Sequence, residues 1–124
     1  MSQRTLSRRR QIRYDVSRAG NASVQFSHPR SGAEPLTLAL VDIGVSGIRF
    51  AYGDELESLE IGATLGDVVI RIGECTMRGE LVVMHLTEVS DSIVHCGALF
   101  YPASDEELVK LKGVTAGLSA ARSD

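Results

Sequence analysis

Residues 41–50 read VDIGVSGIRF, and the way this stretch folds back on itself decides the architecture. It ends a run that alternates from Leu36. Leu36, Leu38, Leu40 and Asp42 fall on one face, and Thr37, Ala39, Val41 and Ile43 on the other. A period of two is strand spacing. Gly44 and Gly47 interrupt it, and Gly47–Tyr52 (GIRFAY) opens a second strand, which leaves residues 44–47 as a tight connection.

The same reading extends outward. Ala22–His28 alternates, with Val24 and Phe26 facing one way. The segment HPRSGAEP that follows, with two prolines and a glycine, is a loop. Residues 54–61 are a polar stretch around Leu56, Leu59 and Ile61, either a short helical turn or an irregular loop. Leu65–Ile72, Thr76–Thr87 and Ser92–Tyr101 are three further strands, the last two joined by a turn on Ser90, Asp91 and Ser92. Six strands at short spacing predict a small antiparallel barrel or sandwich.

The period then changes. Ser104-Asp-Glu-Glu107 has the form of a capping box, in which Ser104 accepts a backbone N–H and Glu107 reaches back. Three acids in the first turn suit the helix dipole. Leu108, Leu111, Val114 and Leu118 make an apolar stripe at helical spacing, while Gly113 and Gly117 each cost roughly 1 kcal/mol relative to Ala. The spacing predicts a helix from 104 to about 120. The chain thus divides into a flexible basic arm (1–18), a β-barrel (19–103) and a C-terminal helix and tail (104–124), together one domain of the 124 residues.

Charge is unevenly placed along it. Residues 1–18 hold six of the 13 Lys and Arg but only one of the 16 acids, which leaves seven bases against 15 acids elsewhere. An acidic body opposes a broad nucleic-acid or membrane footprint. A local basic arm suits a small anion. Its arginines lie in SRRRQIRYD, residues 7–15, where Arg9 and Arg13 are four apart, flanked by Arg8 and Arg10. A guanidinium can grip phosphate, bind the O6/N7 edge of guanine, or stack on a base. Asp42, at a strand end beside glycines, can accept the paired N1–H and N2–H donors of a guanine edge. Its plainer role is to cap the turn, with the glycines there for positive φ.

Taken together, an R-x-x-x-R before the first strand and, at the end of the second, a stretch close to D-x-S-x-x-G resemble the signature of the PilZ family. Arg9 and Arg13 fit the first motif, and Asp42 and Gly47 the ends of the second. The GIRF after the motif, the GALFYP strand ending and the SDEEL helix start extend the resemblance over nearly the whole chain. It implies a six-stranded antiparallel β-barrel with a C-terminal α-helix, acting as a receptor for cyclic di-GMP. It implies that Arg9 and Arg13 bind phosphates and guanines from the arm, and that Asp42 reads a guanine edge. Arg8 and Arg10 would add charge or stacking. One position departs from the pattern: Gly44 stands where the family has Ser. A lost neutral hydrogen bond there would cost about 0.5–1.5 kcal/mol, unless the Gly44 N–H or the Ser46 hydroxyl replaces it.

A receptor of this kind is cytoplasmic, carries no cofactor, and acts through an unidentified protein effector on motility, attachment or exopolysaccharide. Homodimerisation through the C-terminal helix stays open. The alternative is a degenerate PilZ adaptor that binds its protein partner without the ligand. No nucleophile elbow, P-loop or dinucleotide fingerprint appears, so enzyme activity is not expected. No pair among His28, His85, His95, Cys75 and Cys96 has a recognised metal spacing. The two cysteines read as reduced, buried thiols, and no apolar run is long enough for a membrane helix.

Overall fold

Alternating apolar residues build strands with one buried face, and six such strands close into a barrel. The computed structural model describes residues 12–28, 34–54, 56 and 58–122. Arg8, Arg9 and Arg10 lie outside the described residues. The strands are β1 (Tyr14–Asp15), β2 (Ala22–Phe26), β3 (Leu36–Ile43), β4 (Gly47–Tyr52), β5 (Thr64–Ile72), β6 (Cys75–Glu88) and β7 (Val94–Pro102), followed by the helix α1 (Asp105–Arg122). Every pairing is antiparallel. The order β3-β2-β5-β6-β7-β4 closes through a β3–β4 pairing, and β1 adds two residues to the free part of β3. β2 ends at Phe26, where the sequence suggested His28, and β7 begins at Val94, where it suggested Ser92.

Inside the barrel, Phe26 and Phe50 meet edge to face with ring centroids 5.3 Å apart. Val24, Leu40, Ile48, Leu65, Ile70 and Met77 surround them, fully buried. The stretch around 54–61 is irregular. Leu56 and Leu59 are buried against the core, while the His28 Nε2 lies 3.3 Å from the Ser58 carbonyl oxygen.

Two departures from strict alternation decide what the outer wall presents. On β3, simple alternation would point Asp42 inward with Leu38 and Leu40. The pairing with β4 shifts register between Leu40 and Asp42, which leaves Val41 as the extra residue of a β-bulge. The phase flips: Ile43 is fully buried and Asp42 faces out. An unpaired carboxylate in the core would cost several kcal/mol, so the bulge removes a conflict that alternation alone would create. On β6 the same happens at Met84. Leu81 and Val83 point inward, the register shifts between Val83 and His85, and His85 emerges on the outside.

The helix docks across β6 through Leu111 and the partly buried Leu108, Val114 and Leu118. Thr115 joins this stripe, buried, its hydroxyl donating to the Leu111 carbonyl at 3.1 Å. Only half of the expected capping box forms. The Glu107 N–H donates to Ser104 Oγ at 3.3 Å, but the Glu107 carboxylate turns away from the cap and accepts the backbone N–H of Arg78 at 2.8 Å. Both cysteines are free, and burial pushes the Cys96 thiol up to about 12, which leaves it inert as a nucleophile.

Candidate functional site

The two bulges bring polar side chains onto one strip of the outer wall. The register runs crosswise from Asp15 through Asp42, Arg49 and Gly97 to His85, on β1, β3, β4, β7 and β6 in turn. Residues directly opposite on neighbouring strands lie within side-chain reach, so positions far apart in sequence become one surface.

Asp42 is its centre. Arg13 Nη1 donates to Asp42 Oδ1 at 3.2 Å, and Arg49 Nε lies 3.3 Å from Oδ2. Among the described residues, one carboxylate thus holds two guanidiniums. The Asp42 side chain is only 15% exposed, against 32% for Arg13 and 46% for Arg49. The carboxylate is therefore fixed in the wall, and the cations reach it from the solvent side. Beside them lies an open depression of about 290 Å³, lined among the described residues by Arg13, Arg49, His85, Thr87, His95 and Gly97. Gly97 is buried between Arg49 and His85, with the His85 ring over it. A Cβ there would come 2.9 Å from the His85 ring.

This wall can accept a flat anion. The arginines supply charge and forked donors, Asp42 supplies an acceptor, and the imidazoles offer stacking faces and further donors. Among the described residues no three His, Cys, Asp or Glu are grouped so as to hold a metal ion.

The residues singled out from the sequence divide into three groups. Arg13 and Asp42 are in contact. Gly44, Ser46 and Gly47 form the β3–β4 turn, where the Gly44 N–H donates to the Gly47 carbonyl at 2.9 Å and the Ser46 carbonyl accepts from Phe100 N–H at 3.0 Å. Neither Gly44 nor Gly47 has a positive φ, so the backbone freedom first suggested for them is not the reason for either. Space is: a Cβ on Gly47 would run into the Ala98 carbonyl of β7, and one on Gly44 would sit 2.6 Å from the Ile12 carbonyl oxygen. Arg8, Arg9 and Arg10 form the third group, outside the described residues.

Arg49, His85, Thr87, His95 and Gly97 went unnoticed as site residues. Arg49 stands in plain view in GIRF, and its alternation with the buried Ile48 and Phe50 already turns it outward. Its proximity to Asp42 appears only with the register.

No family model matches the sequence, and no curated protein does. Solved structures do. The K. pneumonia MrkH–c-di-GMP complex superposes with a TM-score of 0.75 at 20% identity, over 93% of this chain and 54% of that one. YcgR from Escherichia coli in complex with c-di-GMP gives 0.73 at 16%, over 93% of this chain and 47% of that one. The separate PilZ domain of YcgR with c-di-GMP gives 0.73 at 13%, over 93% and 94%. The chain thus spans about half the length of the MrkH and YcgR structures, and almost all of the separate PilZ domain. Its fold is that of a PilZ domain.

Proposed function

We propose that the chain is a receptor for cyclic di-GMP and that the strip around Asp42 is its binding wall. The observation that supports this best is the pairing of two guanidiniums, Arg13 and Arg49, on one wall-fixed carboxylate beside an open cradle. The ligand carries two phosphate charges and two guanines, and so needs cations and an edge acceptor together. A guanine edge donates N1–H and N2–H to Asp42 and takes over the place of Arg13 on that carboxylate. The exchange replaces one charge-assisted contact with another, and it frees the Arg13 guanidinium for phosphate or for stacking. Arg9 joins it from the R-x-x-x-R motif, with Arg8 and Arg10 adding charge. Arg49 stays at the wall, beside the His85 ring that covers Gly97.

In this reading the arm of residues 1–18 closes on the ligand from its seat on β3, where Tyr14 and Asp15 pair with Ile43 and Asp42, and changes the surface offered to a protein effector in the cytoplasm. Control of motility, attachment or exopolysaccharide is the output such receptors serve. Gly44 in the place of Ser favours the second reading, an adaptor that no longer needs the ligand.

Isothermal titration of the full chain with cyclic di-GMP separates the two. The receptor reading expects micromolar or tighter binding that Arg13→Ala weakens at least tenfold, the range of a charged hydrogen bond. Absence of heat for the native chain at millimolar ligand would overturn it in favour of the adaptor.

A further inference from the structure

Gly44 invites the reading of a lost contact, since a serine hydroxyl there could reach a ligand. The geometry gives it another purpose. Its φ is one that any residue adopts, so the backbone does not require glycine. The Ile12 carbonyl oxygen does, because it lies 2.6 Å from where a Cβ would stand, with the Arg13 side chain 3.5 Å away. Real Cβ atoms do not come this close to a backbone oxygen, and a carbonyl cannot rotate aside as a side chain can. Ile12 and Arg13 therefore lie directly over the turn, and residues 14–16 run on along β3. Four contacts follow in order: Arg13 Nη1 on Asp42 Oδ1 at 3.2 Å, the Tyr14–Ile43 and Asp15–Asp42 pairs of β1 with β3, and the Val16 N–H on the Val41 carbonyl at 2.9 Å.

We infer that Gly44 is a positioning residue: the missing side chain seats Ile12 and Arg13 on the β3–β4 turn, in line with residues 14–16 along β3, and so places Arg13 at Asp42. The consequence runs against the motif. Gly44→Ser, which brings the chain nearer to the family pattern, lifts Ile12 off the turn and weakens ligand binding. Gly44→Ala does the same to the same extent, because the clash belongs to the Cβ and not to the hydroxyl.

The ligand half of this rests on the receptor reading above; the seating half does not, and the test keeps them apart. Hydrogen exchange on the free full-length chain follows the Val16 amide, with the Ile70 and Met77 amides of the β5–β6 ladder as internal controls. Both substitutions are expected to speed Val16 exchange by roughly tenfold or more, the loss of about one hydrogen bond with its ordering, while the controls hold. Cyclic di-GMP titration then expects both variants to bind roughly tenfold more weakly than the native chain. Tighter binding by Gly44→Ser with no change for Gly44→Ala would overturn the inference and restore the hydroxyl as a ligand contact. Unchanged Val16 exchange in both variants, or an equal rise at Ile70 and Met77, overturns it as well. If the native chain binds no cyclic di-GMP, the receptor reading fails and the Val16 amide alone decides the seat.

Discussion

Two carboxylates organise this molecule, and they are held in opposite ways. Glu107 accepts a backbone N–H, from Arg78 at 2.8 Å, with Lys110 Nζ 3.4 Å from its other oxygen. Among the described residues Asp42 is held by side chains, Arg13 and Arg49, both substantially exposed. A backbone donor cannot leave without unpicking a strand, whereas a guanidinium can swing away into water. Glu107 therefore pins the helix to β6, and Asp42 is a carboxylate whose partners can be exchanged for those of a ligand.

The largest expected effect tests the exchangeable side. Asp42→Ala should weaken cyclic di-GMP binding by roughly 10- to 150-fold, the span of charge-assisted hydrogen bonds. It should shift stability by no more than about 1 kcal/mol, because the two arginines rehydrate where they stand. Titration calorimetry and urea unfolding on the same samples measure both. A stability loss as large as the binding loss would break the comparison, since Asp42 would then be an anchor of the Glu107 kind. Gly47→Ala should behave in the reverse sense. Its Cβ would meet the Ala98 carbonyl across the β4–β7 ladder, and overpacking of this type costs about 1–3 kcal/mol. Urea unfolding should show that loss. A purely ligand-facing glycine would leave the midpoint in place and change affinity alone.

Strand positions were legible because period-two alternation runs through almost every one, and β3 and β4 begin and end at the expected residues, Leu36–Ile43 and Gly47–Tyr52. The bulges were not read, although each left a trace. Asp42 falls on the leucine phase of β3 with the apolar Ile43 just off it, and His85 falls on the Leu81–Val83 phase of β6 with Leu86 just off it. A polar residue on the apolar phase followed by an apolar one marks a one-residue slip. Both slips lie at the candidate site. Arg13 and Asp42 could be named from their motifs, but Arg49, His85 and Gly97 come together only through cross-strand register, which no spacing along the chain encodes. The Glu107 contact was missed for a similar reason. A capping box describes the helix in isolation, and the Arg78 amide of β6 offered that carboxylate a donor from outside it.

The smallest effect sharpens the anchored side. The Glu107 carboxyl titrates below its ordinary value of 4.5, chiefly because the Arg78 N–H bonds to its ionised form, with Lys110 assisting. Unfolding releases that amide and returns the group to its ordinary range. The unfolded chain therefore takes up the proton first as pH falls. The stability that Glu107 contributes is complete above about its ordinary value and disappears as the pH drops through the lower, folded one. Glu107→Gln removes the titration. Thermal unfolding of both proteins from pH 7 down to pH 3 should show native above variant by a constant margin near neutrality, and that margin should close below the ordinary glutamate range. A margin that stays level into acid would mean that the Arg78 amide does not favour the charged carboxylate. Glu107 would then be no firmer an anchor than Asp42, and the distinction between backbone-held and side-chain-held acids would fall.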